Sequence, residues 1–598
     1  MAKELITRDQ VKEEDTWNIK DMYEDASQWE ADLEEIKRLT ALVTEYEGKV
    51  CKDAKNLLFV LNNLAIISEK IDFDYNYAQR LFDQDQGNTT HQAMSAKIFS
   101  LYSEVMSQIS FVDPEILECD AAVREGYMSE LPELELYRIQ IKEIQRLKPH
   151  TLSAEIEKVA AMTTEMCQSP DDIYCALTNV DLSFGMLKDE NDEDIRLTEG
   201  RYIHLLESPN RRVRKDAFEE YYRVYKQFLN TIAAVYNSQV KTQCFNSKLR
   251  GYASNLEAAV DASNVSPQVY KNLLDTIDKN VDKLHRYVSL RKKCLGLDEL
   301  HMYDIYTPMI AGVAKEISYE EAKETILKAL APLGEDYVAL LKEGFENRWI
   351  DVYENQGKRS GAYSAGAYGC HPYVLMNYDN TLDKMFTLAH EMGHALHSYY
   401  SDTNQPYIYS QYKIFVAEVA STTNEILLME YLLKNCTDDK EKAYLLNHYL
   451  DGFKGTVFRQ AQFAEFEMKT NAMAESGEGL NADNLSKLYK EINEKYYGSE
   501  IISDDQIAYE WARIPHFYYN FYVYQYATSY CAAQAIAHDV LEKGTPAVEA
   551  YKKFLSSGCT DAPVELLKIA GVDLTTAAPI QSALDTMDRV LAELETLV

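Results

Sequence analysis

Residues 381–400 read TLDKMFTLAHEMGHALHSYY, and the chemistry of the chain turns on how this stretch is arranged. No proline interrupts it, Asn380 stands ahead of it as an acceptable N-cap, and Asp383 adds negative charge in the first turn, so a helix is predicted. Four helical residues rotate by about 400°, which puts His390 and His394 on one face, one turn apart. Two imidazoles so placed can bind one zinc ion, and Glu391 is then positioned to act on a water held there. His397 falls about 60° off that face and reads as supporting or structural. A five-residue pattern also arises by chance, so the flanking sequence has to decide.

A catalytic zinc takes three protein ligands and leaves a position for water, so a third ligand is expected on a following element. Residues 414–433, IFVAEVASTTNEILLMEYLL, form an apolar helix that nonetheless carries Glu418, Glu425 and Glu430. Glu418 lies among Phe415, Val416, Val419 and Ala420, where a bare carboxylate is costly to bury and coordination to a cation removes the difficulty. Glu425 follows by nearly two turns and points the same way, placed to accept from the non-ligating nitrogen of a zinc histidine. Glu430 lacks that alignment and reads as solvated. Upstream, Trp349–Tyr353 and Tyr373–Tyr378 are candidate strands, separated by the glycine-bearing loop Gly357–Gly369. That loop matches no phosphate-binding fingerprint and reads as a permissive active-site loop. The strand at 373–378 is either an edge that pairs with an extended peptide or part of an ordinary core hairpin. His371, just before it, has no assigned role.

The rest of the chain is predicted to be helical. Ala26–Glu47, Ala54–Leu81, His91–Phe111, Pro132–Arg146 and Arg211–Phe228 carry apolar residues three and four apart, and residues 182–198 suit a β-hairpin. With 598 residues, more than one domain is expected: an N-terminal helical domain over 1–195 and a catalytic domain over 196–598. The net charge of −35 disfavours nucleic acid and anionic membrane surfaces as partners. Neither a signal-peptide core nor a run of transmembrane length is found, and ten cysteines without a CxxC pair suit a reducing cytoplasm.

KRSGAYSAGAYGCHPYVLMNY (358–378), TLAHEMGHALHS (387–398) and FVAEVASTTNE (415–425) together resemble the thimet-oligopeptidase (M3) family of zinc metallopeptidases, in its oligoendopeptidase F branch. Residues 197–225 are similar to the start of that family's catalytic domain and HFYYNFYVYQYATSY (516–530) to its tyrosine-rich C-terminal segment, so the resemblance covers about 115 to 585. It implies a mainly α, bivalve-like fold with a deep internal channel and a small β-sheet next to the zinc helix. It implies cleavage of internal bonds in short peptides, with one Zn²⁺ per chain on His390, His394 and Glu418 and with Glu391 as general base. His516, Tyr519 and Tyr522 map onto the family's transition-state donors, although the thimet branch's glycine spacer is absent between His516 and Tyr519. At most two of the tyrosines from 518 to 530 serve chemistry on this reading, and the others pack. Two other functions fit part of the same pattern. A zinc aminopeptidase would need an acidic site for the substrate amine, and no Gly-x-Met-Glu-Asn strand precedes His390. A catalytically inactive peptide-binding protein would not need His390, Glu391, His394 and Glu418 all intact.

Overall fold

Capping side chains and apolar spacing place the helices where their residues demand. Asp25 caps Ala26–Thr44 by accepting from the Ser27 N–H, and Asp53 caps Ala54–Gln84 through the Asn56 N–H. Trp29, Leu33, Ile36, Leu39 and Val43 line one face of the first helix, and Leu57, Val60, Leu61 and Ile67 begin that of the second. These faces share a core with Ile98, Leu101 and Val105 of Thr89–Gln108. Burial of each aliphatic side chain contributes about 1.5–3 kcal/mol, so this shared core outweighs the caps, at about 1 kcal/mol each.

The computed structural model describes residues 5–310 and 316–598 and is mainly α, as expected. The helix predicted for Arg211–Phe228 runs on to Leu249, 39 residues in all. Buried Leu229, Ile232, Tyr236 and Val240 continue its apolar face, and no glycine or proline stops it. The chain forms two compact units, each built from three separated segments. The first comprises Met1–Pro149, Lys315–Leu428 and Ile536–Gly571; the second comprises His150–Ala314, Met429–Ala535 and Val572–Val598. Among the described residues no helix is long and apolar enough to cross a membrane.

Seven short strands occur among the described residues: β1 (Met186–Lys188), β2 (Asp194–Arg196), β3 (Leu300–His301), β4 (Ile350–Asp351), β5 (Tyr363–Ala365), β6 (Tyr373–Leu375) and β7 (Ile501–Ile502). In the second unit β1 and β2 form the antiparallel hairpin expected of residues 182–198, and β3 pairs in parallel with β7. In the first unit the order is β4-β6-β5, with β4 parallel and β5 antiparallel to β6. One expectation is corrected here: the 357–369 stretch is not wholly loop, because it contains β5. Of the two readings of the 373–378 strand, the core hairpin holds, since β6 is central and has no edge to offer a peptide. An edge beside the histidine helix belongs to β5: at Gly366, just after the strand, a Cβ would lie 3.0 Å from the Ser398 Cβ. The cap also differs. Thr381 accepts from the Lys384 N–H to start the helix Leu382–Asn404, while Asn380 turns the chain at φ 64°, a conformation asparagine tolerates.

Candidate metal centre

All the side chains of the candidate centre lie in the first unit, on the helices Leu382–Asn404 and Ile414–Asn435. Met385, Leu388, Ala389, Met392, Ala395 and Leu396 bury one side of the first helix and leave His390 and His394 half-buried on another. The second helix meets it backbone to backbone at Gly393. A Cβ there would stand 2.6 Å from the Ser421 Cα and 2.8 Å from the Ala420 carbonyl oxygen. Asn424 ties the same contact, donating to the Ala389 carbonyl at 3.1 Å and accepting from the Tyr337 hydroxyl at 2.9 Å.

This contact brings Glu418 to the histidines. One ligand atom from each of His390, His394 and Glu418 lies within 4.8 Å of the others. Glu418 Oε2 is 3.3 Å from His390 Nε2 and 3.5 Å from His394 Nε2, and it accepts from the Ser421 hydroxyl at 3.1 Å. The two rings cross at 83° with centroids 4.8 Å apart. Glu425 Oε1 lies 2.6 Å from His390 Nδ1, which fixes the ring and turns Nε2 toward Glu418. Two imidazole nitrogens and a carboxylate oxygen facing one point, with a hydrogen-bonded outer nitrogen, fit a zinc ion.

Electrostatics tighten the set. Burial opposes a charge on His390, but hydrogen bonds to Glu418 and Glu425 overcome it and raise its pKa. Burial likewise works against the Glu418 carboxylate, and the two histidines still hold it well below the usual range. Glu391 is only 6% exposed. Burial pushes its carboxyl up, the two imidazoles oppose the shift, and Glu418 and Glu425 add to it.

Three other side chains fall outside the cluster. His397 is buried, stacked on Tyr412 at 3.7 Å and 5°, and burial pushes its pKa down to about 3, so it is structural. His371 stacks on Trp349 at 5.3 Å and lies 3.1 Å from Asp21 through Nε2. Glu430 is not simply solvated: it pairs with Arg589 at 2.8 Å.

His516, Tyr519 and Tyr522 belong to the second unit. The His516 ring lies 5.7 Å from Tyr519, 6.3 Å from Tyr522 and 6.1 Å from Tyr526, so the four rings form one group. Tyr518, Tyr524 and Tyr530 are buried in packing, Tyr518 stacked on Tyr174 at 4.3 Å. Tyr519 is 51% exposed, and burial lowers the His516 pKa. Asn424 is not singled out by the sequence, whereas Tyr526 stands among the tyrosines from 518 to 530 without a role of its own. The signal for Asn424 is a polar residue fully buried in an apolar helix; Tyr526 follows Tyr522 by four residues, one helical turn.

The chain resembles proteins already characterised in sequence and in structure. Residues 204–586 match the model of peptidase family M3, and residues 115–184 match that of oligopeptidase F. Oligopeptidase PepF of Bacillus subtilis is 45% identical over 597 residues, covering 100% of this chain and 89% of the relative. A crystal structure assigned as a peptidase from Chlamydophila abortus aligns at TM-score 0.92 and 35% identity over 100% of both chains. Oligoendopeptidase-F from Enterococcus faecium aligns at TM-score 0.76 and 39% identity, over 96% of this chain and 99% of that one. With a family match over most of its length, a full-length relative and a histidine–glutamate cluster suited to zinc, the chain belongs to peptidase family M3.

Proposed function

We propose that this protein is a zinc-dependent endopeptidase that hydrolyses internal peptide bonds of short oligopeptides. The observation that carries the reading is the convergence of His390, His394 and Glu418, with buried Glu391 next to His390 on the same helix. His390, His394 and Glu418 would hold one zinc ion per chain. When bound, the ion supplies a Lewis acid that acidifies a water toward neutral pH and draws electron density from the scissile carbonyl. Glu391 takes the proton from the attacking water and passes it to the leaving amine nitrogen. Burial raises the Glu391 carboxyl above the usual carboxylate range, which makes it a better acceptor for that proton. Glu425 holds the His390 tautomer.

His516, Tyr519 and Tyr522 donate hydrogen bonds to the carbonyl oxygen as negative charge builds on it, at about 3 kcal/mol for each well-aimed donor. Their grouping around one imidazole supports this role. The β5 edge pairs with the extended peptide main chain, a role supported by its edge position and by Gly366, the residue after it, lying against Ser398 of the histidine helix. Along the sequence, an N-terminal helical domain over 1–195 precedes a catalytic domain over 196–598, a reading supported by separate family models over 115–184 and 204–586. The protein is cytoplasmic, a reading supported by ten free cysteines.

Glu391→Gln tests the chemistry. It should keep its zinc and lose about 10²–10⁴-fold in turnover; full activity would sink the assignment. An internally quenched peptide blocked at both ends should be cut. If cleavage needs a free N-terminus, the aminopeptidase reading replaces this one.

A further inference from the structure

We propose that Glu467 is a positioning residue for the donor segment: its carboxyl oxygen holds a left-handed turn at Asn520–Phe521 and so sets the mutual placement of His516, Tyr519 and Tyr522. The inference rests on the reading of those three as donors. Asn520 and Phe521 stand at φ 50° and φ 58°, between Tyr519 and Tyr522 in the chain. Asparagine visits this region readily, but a bulky residue there costs about 1–3 kcal/mol and persists only where its surroundings impose it.

The surroundings here do impose it. Glu467 Oε1 accepts from the Phe521 N–H at 2.6 Å. Asn255 Nδ2 donates to Asn520 Oδ1 at 2.9 Å, and Gln239 Nε2 donates to the Tyr518 carbonyl at 2.9 Å. All of these residues lie in the second unit. Glu467 is 1% exposed, and its other oxygen, Oε2, has no hydrogen-bond partner. Burying a carboxyl for a single hydrogen bond is a poor use of a core position, which an apolar side chain of the same volume would fill more stably. That cost is accounted for if the backbone it holds matters more than the local packing. Burial raises the Glu467 pKa to about 8, opposed by the Phe521 amide, so the group has not been relieved of its cost by an ion pair.

Alanine and glutamine at this position separate the cases. Glu467→Gln keeps an acceptor oxygen and should stay within about threefold of the parent. Glu467→Ala frees the turn and should lower kcat by about 10- to 100-fold with KM and zinc content little changed. If Glu467 acts through the donors, Glu467→Ala combined with Tyr522→Phe should cost less than the product of the two separate losses. An unchanged kcat in Glu467→Ala, a fully multiplicative double variant, or a glutamine variant as impaired as alanine would overturn the inference. If Glu467→Ala fails to fold, Asn255→Ala removes the clamp on Asn520 and carries the same expectation. His516→Ala and Tyr522→Phe, measured alone, separate the two levels. If neither lowers kcat, the donor reading fails and this inference with it; if both do and Glu467→Ala does not, only this inference fails.

Discussion

Gly393→Ala sets two effects of opposite sign against each other. Alanine is the better helix former by about 1 kcal/mol. Its methyl group, however, would sit 2.6 Å from the Ser421 Cα, 2.8 Å from the Ala420 oxygen and 2.9 Å from the Ser421 nitrogen. All three are backbone atoms, so no side chain can swing away. Restoring an ordinary carbon–carbon contact of about 3.5–4.0 Å requires the two helices to part by roughly 1 Å. Overpacking of this kind costs about 1–3 kcal/mol, which meets or exceeds the propensity gain, so the fold should lose about 0–2 kcal/mol. The larger consequence lies three residues away. Glu418 travels with Ser421, and zinc ligands tolerate only about 0.2 Å of misplacement. Zinc affinity, measured by competition with a chromophoric chelator, should fall by about 10- to 100-fold, the range seen when the support of a ligand is disturbed. A Gly393→Ala protein that binds zinc as tightly as the parent would refute the close-contact reasoning, whatever its thermal stability.

Gly126, inside the helix Ala121–Glu130, is the matched control: a Cβ there meets nothing within 4 Å, so Gly126→Ala should stabilise the protein by about 0.5–1 kcal/mol in a denaturant titration. Glu425→Ala frees the His390 ring and should weaken zinc binding by about 10- to 100-fold while leaving the helix content seen by circular dichroism unchanged. His397 should shape the acid limb of stability. Its folded pKa of about 3 lies below the ordinary value of 6.5, so as pH falls from 6.5 toward 3 the unfolded chain binds a proton that the folded one refuses. Stability contributed this way is lost with falling pH, by at most about 1.4 kcal/mol per unit. His397→Phe, which keeps a ring against Tyr412, should flatten the fall in Tm between pH 6.5 and 4, and an unaltered slope would count against a neutral, buried His397.

What the sequence makes legible here is chemistry carried by periodicity. His390 and His394 share a face because four residues nearly complete a turn. Glu418 and Glu425 stand out because a carboxylate in an apolar helix needs a reason. Gly393 stands out for the converse reason, an unexplained glycine in a helix, and the packed backbone of Ser421 supplies the explanation. Other features depend on contacts distant in sequence. The strand β5 lies in a glycine-bearing stretch with no alternation to reveal it, and it is extended because Tyr363, Ser364 and Ala365 register against Leu375, Val374 and Tyr373. The turn at Asn520–Phe521 carries no glycine, so nothing local announces its left-handed backbone; it is imposed by Glu467 and Asn255, which lie far back in the chain. The assembly of each unit from three separated segments is invisible to any reading of composition along the chain.

That assembly has a consequence for biosynthesis. The helix Leu382–Asn404 emerges from the ribosome well before Ile536–Gly571, the segment that completes its unit. Phe554 packs 5.5 Å from the His397 ring, and Gly558 passes so close to Tyr409 that a Cβ there would stand 1.8 Å from its carbonyl oxygen. At about 5–20 residues per second, the 157 residues from 397 to 554 take roughly 8–30 s to make. For that interval the apolar back of the histidine helix awaits its cover, so the nascent chain is most exposed to aggregation and to proteases late in translation rather than early. A ribosome stalled between residues 435 and 536 would hold both helices of the candidate centre without the segment that closes over them.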